Sequence, residues 1–285
     1  MTSDSLEDSA NQENPPLLPV IYILGNSHSG STLLGFLLSA NPDMVNLGEL
    51  KGRTWLKERF CSCGHPVAEC AFYGNFFETF NHLKRNVITR IRNTRLIQFF
   101  IRRNIPLNPS SKQELLNFYS SVSHQVSAIV PNARYIVDTS KSVSLLNGWL
   151  NIMPEENIKI IHLTRHTGAN VSSFVKRGAP FFKSLTGILI NNLLIRRYLK
   201  KNNLNYLEVD FNRFHAFFPE EAKRMSDFIG DEIPATDSIP VHHHVIGGNN
   251  RTRKSFTNKV TGIHKDEEWQ QILTGFQKQI LRLLS

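Results

Sequence analysis

The chain has 285 residues, of which 40% are hydrophobic and 20% are charged, an ordinary composition for a globular protein. Its formal net charge of +9 attracts polyanions such as nucleic acid, an anionic membrane surface or a phosphorylated ligand. Three cysteines are too few for a disulfide scaffold at this length, which excludes a disulfide-rich secreted fold and agrees with a reducing compartment.

The N-terminal segment is polar and acidic and predicts a disordered tail over residues 1–17, followed by one domain over residues 18–285. The tail has no basic segment followed by an apolar core, so it does not have the pattern of a signal peptide. No later apolar run is long enough to span a bilayer, and the stretch 185–194 is short and interrupted by polar residues. We therefore expect a cytoplasmic protein with no membrane partner.

Strand and helix patterns alternate along most of the chain. Residues 20–24 form a β-rich run that predicts a buried parallel strand, and the helical spacing over 30–40 predicts a helix that Asn41 and Pro42 end. Further strands are predicted at Arg134–Val137, Ile158–Leu163 and Tyr206–Val209. This alternation is typical of an α/β fold with a parallel β-sheet flanked by helices on both faces.

Residues 51–131 break this alternation and predict a helical insertion beside the sheet, with an amphipathic helix over 113–129. The insertion contains a basic stretch with no acidic residue between its members Lys84, Arg85, Arg90, Arg92, Arg95, Arg102 and Arg103. Such a stretch could bind RNA or an anionic membrane. Because no recognised nucleic-acid module accompanies it, we favour a solvated helix face that raises the local potential for an anionic ligand, with no nucleic-acid partner.

A glycine-containing loop joins the first predicted strand to the first predicted helix. Its residues are Gly25, Asn26, Ser27, His28, Ser29, Gly30, Ser31 and Thr32. Such a loop can turn successive backbone N–H groups toward an anion at the helix N-terminus. The glycine spacing equals that of a P-loop, but Ser31 stands where the P-loop lysine would be. A serine-rich cradle without that lysine suits a nucleotide with a single 5′-phosphate group better than an NTP with magnesium. The alternative is a strand–helix turn with no ligand.

Two motifs carry a resemblance to a known family. The segment 29–34, SGSTLL, resembles the 5′-phosphosulfate-binding loop of sulfotransferases that use PAPS (3′-phosphoadenosine 5′-phosphosulfate). Arg165 follows a predicted strand, and Ser173 comes eight residues later, which resembles the 3′-phosphate signature of the same family. An arginine fork and a serine hydroxyl are suitable donors to phosphate oxygens.

Two further segments agree with this resemblance. The segment 137–142, VDTSKS, is predicted to follow a strand and resembles the Asp-Ser-Ser-Lys segment of bacterial members. The segment 247–251, GGNNR, resembles their C-terminal loop, which closes over the nucleotide. The resemblance covers the chain from about Pro19 onward and implies a P-loop-like sulfotransferase fold with PAPS as donor and PAP as product. The donor-binding residues that it implies are Asn26, Ser27, His28, Ser29, Gly30, Ser31, Thr32, Arg165, Ser173, Asn249 and Arg251.

The resemblance also implies catalytic roles for Glu49, His28 and Lys141. In tyrosylprotein and carbohydrate-type sulfotransferases a glutamate in a comparable place deprotonates the acceptor, so Glu49 is the candidate base; the alternative is a surface carboxylate. Lys141, His28 and Thr32 would stabilise the departing phosphate oxygen; the alternative for Lys141 is a surface charge at the start of a helix. Most relatives have lysine or arginine at the position of His28, and the charge of a histidine depends on pH. This scheme requires no metal.

The sequence leaves the acceptor open. We expect a small molecule sulfated on a hydroxyl, or on an amine or guanidinium nitrogen, for example a secondary metabolite such as an alkaloid. Its specificity is predicted to lie in the insertion 51–131 and in the loop after Gly178. Two other functions are weighed against this one: a P-loop nucleotide kinase or NTPase, which lacks its lysine, and a nucleic-acid-binding protein that uses the basic stretch.

The three cysteines form a cluster with one nearby histidine. Cys61, Cys63, His65 and Cys70 could supply a Cys₃His zinc site. The spacing is not that of a standard zinc finger, and similar cysteines occur in the bacterial sulfotransferases, so we interpret them as a structural knot or buried thiols and keep zinc as the alternative. The histidines at 242–244 are interpreted as loop residues, because adjacent side chains point in different directions.

Overall fold

The computed structural model describes residues 17–50, 60–74, 106–235, 244–250, 252–253 and 267–284. In this part of the chain the strands form one sheet in the order β2-β3-β1-β4-β5, and every pairing is parallel. The strands are β1 (Val20–Gly25), β2 (Met44–Gly48), β3 (Tyr135–Lys141), β4 (Ile158–Thr164) and β5 (Tyr206–Asp210).

Helices connect and cover the strands. They are α1 (Ser31–Leu38), α2 (Pro109–Ile129), α3 (Val143–Ile152), α4 (Thr167–Val175), α5 (Phe181–Lys201), α6 (Phe211–Ala216), α7 (Phe218–Ile229), α8 (Trp269–Ile272) and α9 (Gly275–Leu284). Short 3₁₀ turns lie at Val67–Glu69 and Glu155–Asn157. None of the helices in these ranges combines the length and hydropathy needed to cross a bilayer.

The side chains of β1 divide between two buried clusters, one on each face of the sheet. Val20, Tyr22 and Leu24 pack with residues of α2, α3 and α5. Ile21 and Ile23 pack with residues of α1 and α7. Successive side chains of a strand point to opposite faces, so helices cover both faces of the sheet. The predicted α/β fold with a parallel sheet is confirmed.

The helix predicted at 113–129 forms the larger part of α2. The side chain of Asn108 caps its N-terminus by accepting a backbone N–H, as cap residues do. Tyr119 stacks on Trp149 of α3 with ring centroids 3.5 Å apart. The indole N–H of Trp149 donates to the buried Asp138 on β3 at 3.0 Å. The described end of the insertion is therefore packed into the main core and tied to the central sheet.

Two details of the sheet differ from the prediction. Strand β2 was not predicted: it is short, and the buried polar residue Asn46 interrupts its apolar pattern. The segment 137–142 was predicted to follow a strand, but β3 continues to Lys141. Lys141 has a φ of 62°, a left-handed conformation that is uncommon for a residue with a side chain. The strand therefore ends abruptly at a functional candidate.

The sheet order places the ends of several strands beside one another. Strand β1 is central, with β3 on one side and β4 on the other. The connections that follow these neighbouring strands lead away in different directions. In open α/β sheets, ligands bind outside the carboxyl ends of the strands where neighbouring connections diverge. Residues after β1, β2, β3 and β4 therefore meet at one edge.

Several predictions concern residues outside the described part of the chain. They are the tail 1–16, the parts 51–59 and 75–105 of the insertion, which include the basic stretch, and Arg251. His242 and His243 also lie outside it.

Candidate anion-binding and catalytic site

The loop between β1 and α1 is held in shape by close packing at Gly30. Gly30 has a φ of 98° and is the N-cap of α1, and a Cβ at this position would lie 2.3 Å from the ring of Phe211. Only glycine fits both the conformation and the space. Ser29 is 1% exposed, and its hydroxyl has no hydrogen-bond partner among the described residues. The loop therefore presents a buried hydroxyl beside a helix N-terminus, as an anion site would.

Asn26 ties this loop to helix α5. Its side-chain N–H donates to the amide oxygen of Asn192 at 2.6 Å, and its own amide oxygen accepts from Asn191 at 2.8 Å. The Asn26 side chain therefore forms hydrogen bonds within the protein, and these attach the loop to α5. Ser27, the next residue, is exposed. The two asparagines of α5 were not predicted from the sequence.

His28 lies at the tip of the loop with a φ of 66°. Its ring makes an edge contact with Phe174 of α4, with centroids 4.9 Å apart, and the guanidinium of Arg177 lies 2.5 Å from Nε2. Burial, followed by the charges of Arg177, Lys141 and Arg165, lowers the pKa of His28 from 6.5 to about 4. At neutral pH the ring is therefore uncharged. Arg177, which was not predicted, brings the positive charge instead.

Arg165 follows β4 directly, as predicted, and points toward the loop. One of its N–H groups donates to the backbone oxygen of His28, and its guanidinium lies 5.4 Å from the ring centroid of Phe211. Ser173 lies on α4, as predicted, and its hydroxyl donates to the backbone oxygen of Ala169 at 3.0 Å. The structure therefore brings Arg165 to the loop and places Ser173 on the helix that follows.

Lys141 and Glu49 form a buried ion pair at the ends of β3 and β2. Their side chains are 7% and 9% exposed. The Lys141 ammonium also donates to the Ser31 hydroxyl at 3.1 Å and to the backbone oxygen of Thr139 at 3.1 Å. A lysine from β3 thus reaches the loop position where a P-loop would carry its own lysine. Glu49 is not a surface carboxylate, which removes that alternative interpretation.

The C-terminal segment closes against the same edge. Ile246 pairs with Gly48, and its backbone oxygen accepts from the Glu49 N–H at 3.1 Å. The backbone N–H of Asn249 donates to the Thr32 hydroxyl at 3.0 Å. Asn249 is exposed beside the loop. Its predicted companion Arg251 lies outside the described residues.

Together these residues form a compact cationic edge with one carboxylate. Three cations surround the loop, supplied by Lys141, Arg165 and Arg177, while buried hydroxyls lie at Ser29 and Ser31. Guanidinium groups and hydroxyl donors around a helix N-terminus bind phosphate-like groups. A carboxylate beside the lysine can accept a proton. The edge can therefore bind an anion and deprotonate a neighbouring group.

Comparison with known proteins gives the fold a name. No protein-family model matches the chain, and no curated protein matches it. The sulfotransferase domain from the curacin biosynthetic pathway superposes with a TM-score of 0.53 at 17% identity, covering 94% of this chain and 98% of that one. The sulfotransferase domain from the Synechococcus PCC 7002 olefin synthase gives 0.50 at 17% identity, covering 96% and 98%. The chain therefore has a sulfotransferase fold, as the resemblance implied.

We predict that the Lys141–Glu49 pair dominates local stability at this edge. Removing one partner of a buried ion pair leaves an uncompensated charge, so Lys141→Met should lower the free energy of unfolding by about 3 kcal/mol or more. Chemical denaturation would measure it. The matched control is Lys176→Met, which breaks the pair with Glu268, whose side chains are 43% and 56% exposed. That change should cost about 1 kcal/mol or less; equal losses would contradict the prediction.

We also predict that His28 makes stability depend on pH. In the unfolded chain its pKa is 6.5 and in the folded protein about 4, so as pH falls between these values the unfolded state takes up a proton that the folded state refuses. The free energy of unfolding therefore decreases as the pH falls from 6.5 to about 4. In His28→Gln the free energy of unfolding should change less with pH between 6.5 and 4. Chemical denaturation at a series of pH values would measure it. An unchanged slope between pH 6.5 and 4 would show that His28 is solvated.

Proposed function

We propose that the protein is a sulfotransferase that moves a sulfuryl group from PAPS to a small-molecule acceptor. The observation that carries the proposal is the position of Lys141, whose ammonium lies between the Ser31 hydroxyl and Glu49. One cation thereby adjoins the loop that would bind the donor phosphate and the carboxylate that would receive the acceptor proton. The sulfotransferase fold supports the same activity.

The loop would bind the 5′ side of the donor. The backbone N–H groups at the start of α1 and the buried hydroxyls of Ser29, Ser31 and Thr32 are donors suited to phosphate and sulfate oxygens. The single lysine comes from β3, which fits one 5′-phosphosulfate group better than an NTP chain with magnesium. Asn249 would cover this group from the C-terminal side.

Arg165 and Ser173 would bind the 3′-phosphate. Arg165 ends β4, and Ser173 lies two helical turns further on α4. A guanidinium can hold two phosphate oxygens at once, and the serine hydroxyl can turn from the Ala169 carbonyl to a phosphate. These contacts would distinguish PAPS from nucleotides without a 3′-phosphate.

The proposed reaction is a single in-line transfer that uses these residues. The acceptor oxygen or nitrogen attacks the sulfur in line, a new bond to sulfur forms, and the bond from sulfur to the bridging phosphate oxygen breaks. Glu49 takes the acceptor proton, and Lys141 stabilises the negative charge that develops on the departing phosphate oxygen. His28, neutral at pH 7, donates or accepts a hydrogen bond beside this oxygen. These residues need no metal ion for the transfer.

The acceptor is proposed to be a small molecule with a hydroxyl, amine or guanidinium group, of the kind found in secondary metabolism. It would approach from the side of Glu49 and of the insertion 51–131. A cytoplasmic protein without nucleic-acid or membrane partners remains the expectation. The kinase or NTPase alternative differs in its ligand, since it requires ATP with magnesium.

The donor assignment predicts the ligand preference. PAP should bind the protein and raise its melting temperature. Arg165→Ala should weaken PAP binding about ten- to a hundredfold, because a charge-assisted contact is lost, and should weaken adenosine 5′-phosphate binding much less. Calorimetric titration with both nucleotides would measure the difference.

Two comparisons make that result interpretable. Arg134 precedes β3 at the opposite edge of the sheet and is paired with Asp231, so Arg134→Ala should leave PAP affinity unchanged. Equal weakening of both nucleotides by Arg165→Ala would show a general loss of loop structure. Stabilisation by ATP with magnesium but not by PAP would contradict the proposed function and favour the NTPase.

The base assignment predicts a loss of turnover. Glu49→Gln keeps the size and hydrogen bonding of the side chain but removes the proton acceptor, so kcat should fall about a hundred- to ten-thousandfold. PAP affinity should change less than kcat, because Glu49 connects to the donor loop indirectly, through Lys141. Steady-state kinetics with direct PAP titration would separate the two effects. Near-full turnover in Glu49→Gln together with a large loss in His28→Ala would assign the base to His28.

A further inference from the structure

Four potential metal ligands meet outside the catalytic edge. They are the thiols of Cys61, Cys63 and Cys70 and the imidazole of His244, and all four ligand atoms lie within 4.8 Å of one another. Three come from the segment 60–74 and the fourth comes from the C-terminal segment 244–250. His65, the histidine that the sequence paired with these cysteines, is exposed. In the structure the nearby histidine is His244, for which the sequence pattern predicts only a loop position.

The ligand atoms of this cluster lie close to the separations of a tetrahedral zinc site, with the pair Cys70 and His244 closer together than a bound ion would hold them. Zinc bonds of about 2.3 Å to sulfur and about 2.0 Å to nitrogen place neighbouring ligand atoms about 3.5 to 3.8 Å apart. The thiols of Cys63 and Cys70 are 3.8 Å apart. Nδ1 of His244 lies 3.9 Å from the Cys61 sulfur and 3.0 Å from the Cys70 sulfur. The sulfurs are also too far apart for a disulfide, and all three cysteines are free.

The backbone around the cluster holds the ligands in place. The Gly64 N–H donates to the backbone oxygen of Cys61 at 3.0 Å, which closes a tight turn around Cys63. The φ of Gly64 is 91°, a conformation that favours glycine. Cys61 and Cys70 are 4% and 2% exposed. The turn thus brings Cys61 and Cys63, two positions apart in the chain, into one cluster with Cys70.

The fourth ligand is fixed by its own contacts. Phe72 stacks on the His244 ring with centroids 5.8 Å apart. The Tyr73 hydroxyl contacts the backbone oxygens of His244 at 2.9 Å and of Leu47 at 3.0 Å. Phe72 therefore positions the imidazole ring, and Tyr73 holds the backbone that carries it.

We propose that Cys61, Cys63, Cys70 and His244 bind one structural Zn²⁺ ion. Three thiolates and one imidazole are a common zinc set, and four protein ligands leave no open position for a reacting water. The ion therefore has no part in sulfuryl transfer. The proposal is independent of the proposed function, because it uses none of the catalytic residues.

The proposed zinc site lies where the C-terminal segment 244–250 contacts the rest of the protein. Ser62 and Val245 exchange two hydrogen bonds, of 3.1 and 2.9 Å, next to the cluster. Ile246 then pairs with Gly48, and Asn249 reaches Thr32 of the loop at 3.0 Å. Zinc would hold the C-terminal segment against β2 and so keep Asn249 over the anion site. Loss of the metal should loosen this segment before it affects the sheet.

Metal analysis of the full-length chain, purified without chelators or a polyhistidine tag, tests the proposal. Elemental mass spectrometry should find about one zinc per chain in the wild type and in the control His65→Ala. His244→Ala should lose at least about a hundredfold in zinc affinity, measured by competition with a chromogenic chelator, because even supporting residues are worth up to that much. The pair compares the exposed His65 with the half-buried His244 of the cluster.

A second measurement does not depend on whether the variants fold. Reconstitution of the wild type with Co²⁺ should give the intense visible absorption of a tetrahedral thiolate site. Weak octahedral bands, zinc well below one per chain with no thermal stabilisation on adding it, or a disulfide found by mass spectrometry would each overturn the proposal. Loss of zinc from His65→Ala but not from His244→Ala would overturn the assignment of the fourth ligand.

Discussion

The site depends on one buried contact, between the ammonium of Lys141 and the carboxylate of Glu49. Placing both charges in a low-dielectric interior is costly, and only their close approach and additional hydrogen bonds offset that cost. Lys141 obtains those bonds from Ser31 and Thr139. Its left-handed backbone costs roughly 1–3 kcal/mol more. Lys141, at the end of β3, thereby links the end of β2 and the glycine loop through its contacts with Glu49 and Ser31.

The sequence predicts the fold well where a pattern is local. An apolar run followed by a glycine loop and a periodic helix identifies β1 and α1, and the same reasoning finds β3, β4 and β5. It fails at β2, since buried Asn46 contradicts the expectation of an apolar strand. The amide oxygen of Asn46 accepts from the Gly48 N–H at 3.0 Å, a need that arises from the turn after the strand and is invisible in a residue pattern.

Residues of the candidate site could be proposed from the sequence, but the contacts between them could not. Arg165 stands out because it follows the predicted strand β4. Glu49 and Lys141 were proposed from the family resemblance, because β2 was not predicted and Lys141 is itself the last residue of β3. That the lysine of β3 fills the gap at Ser31 depends on the sheet order, which a single sequence does not reveal. Arg177 was missed because a basic residue near a helix end has no distinguishing pattern. The position of His244 beside the three cysteines was not expected, because no spacing rule connects residues so far apart in the chain.

The packing of Phe211 against Gly30 links distant parts of the chain. The ring fills the space that a side chain at position 30 would need, and the Arg165 guanidinium lies over the same ring. The loop sequence near the N-terminus therefore does not determine its own shape. A nascent chain that has not yet emerged beyond β5 carries every residue of the glycine loop, yet it lacks the aromatic wall against which that loop is formed. The shape of the glycine loop is in this sense completed late in synthesis, when β5 and the helix that follows it have docked.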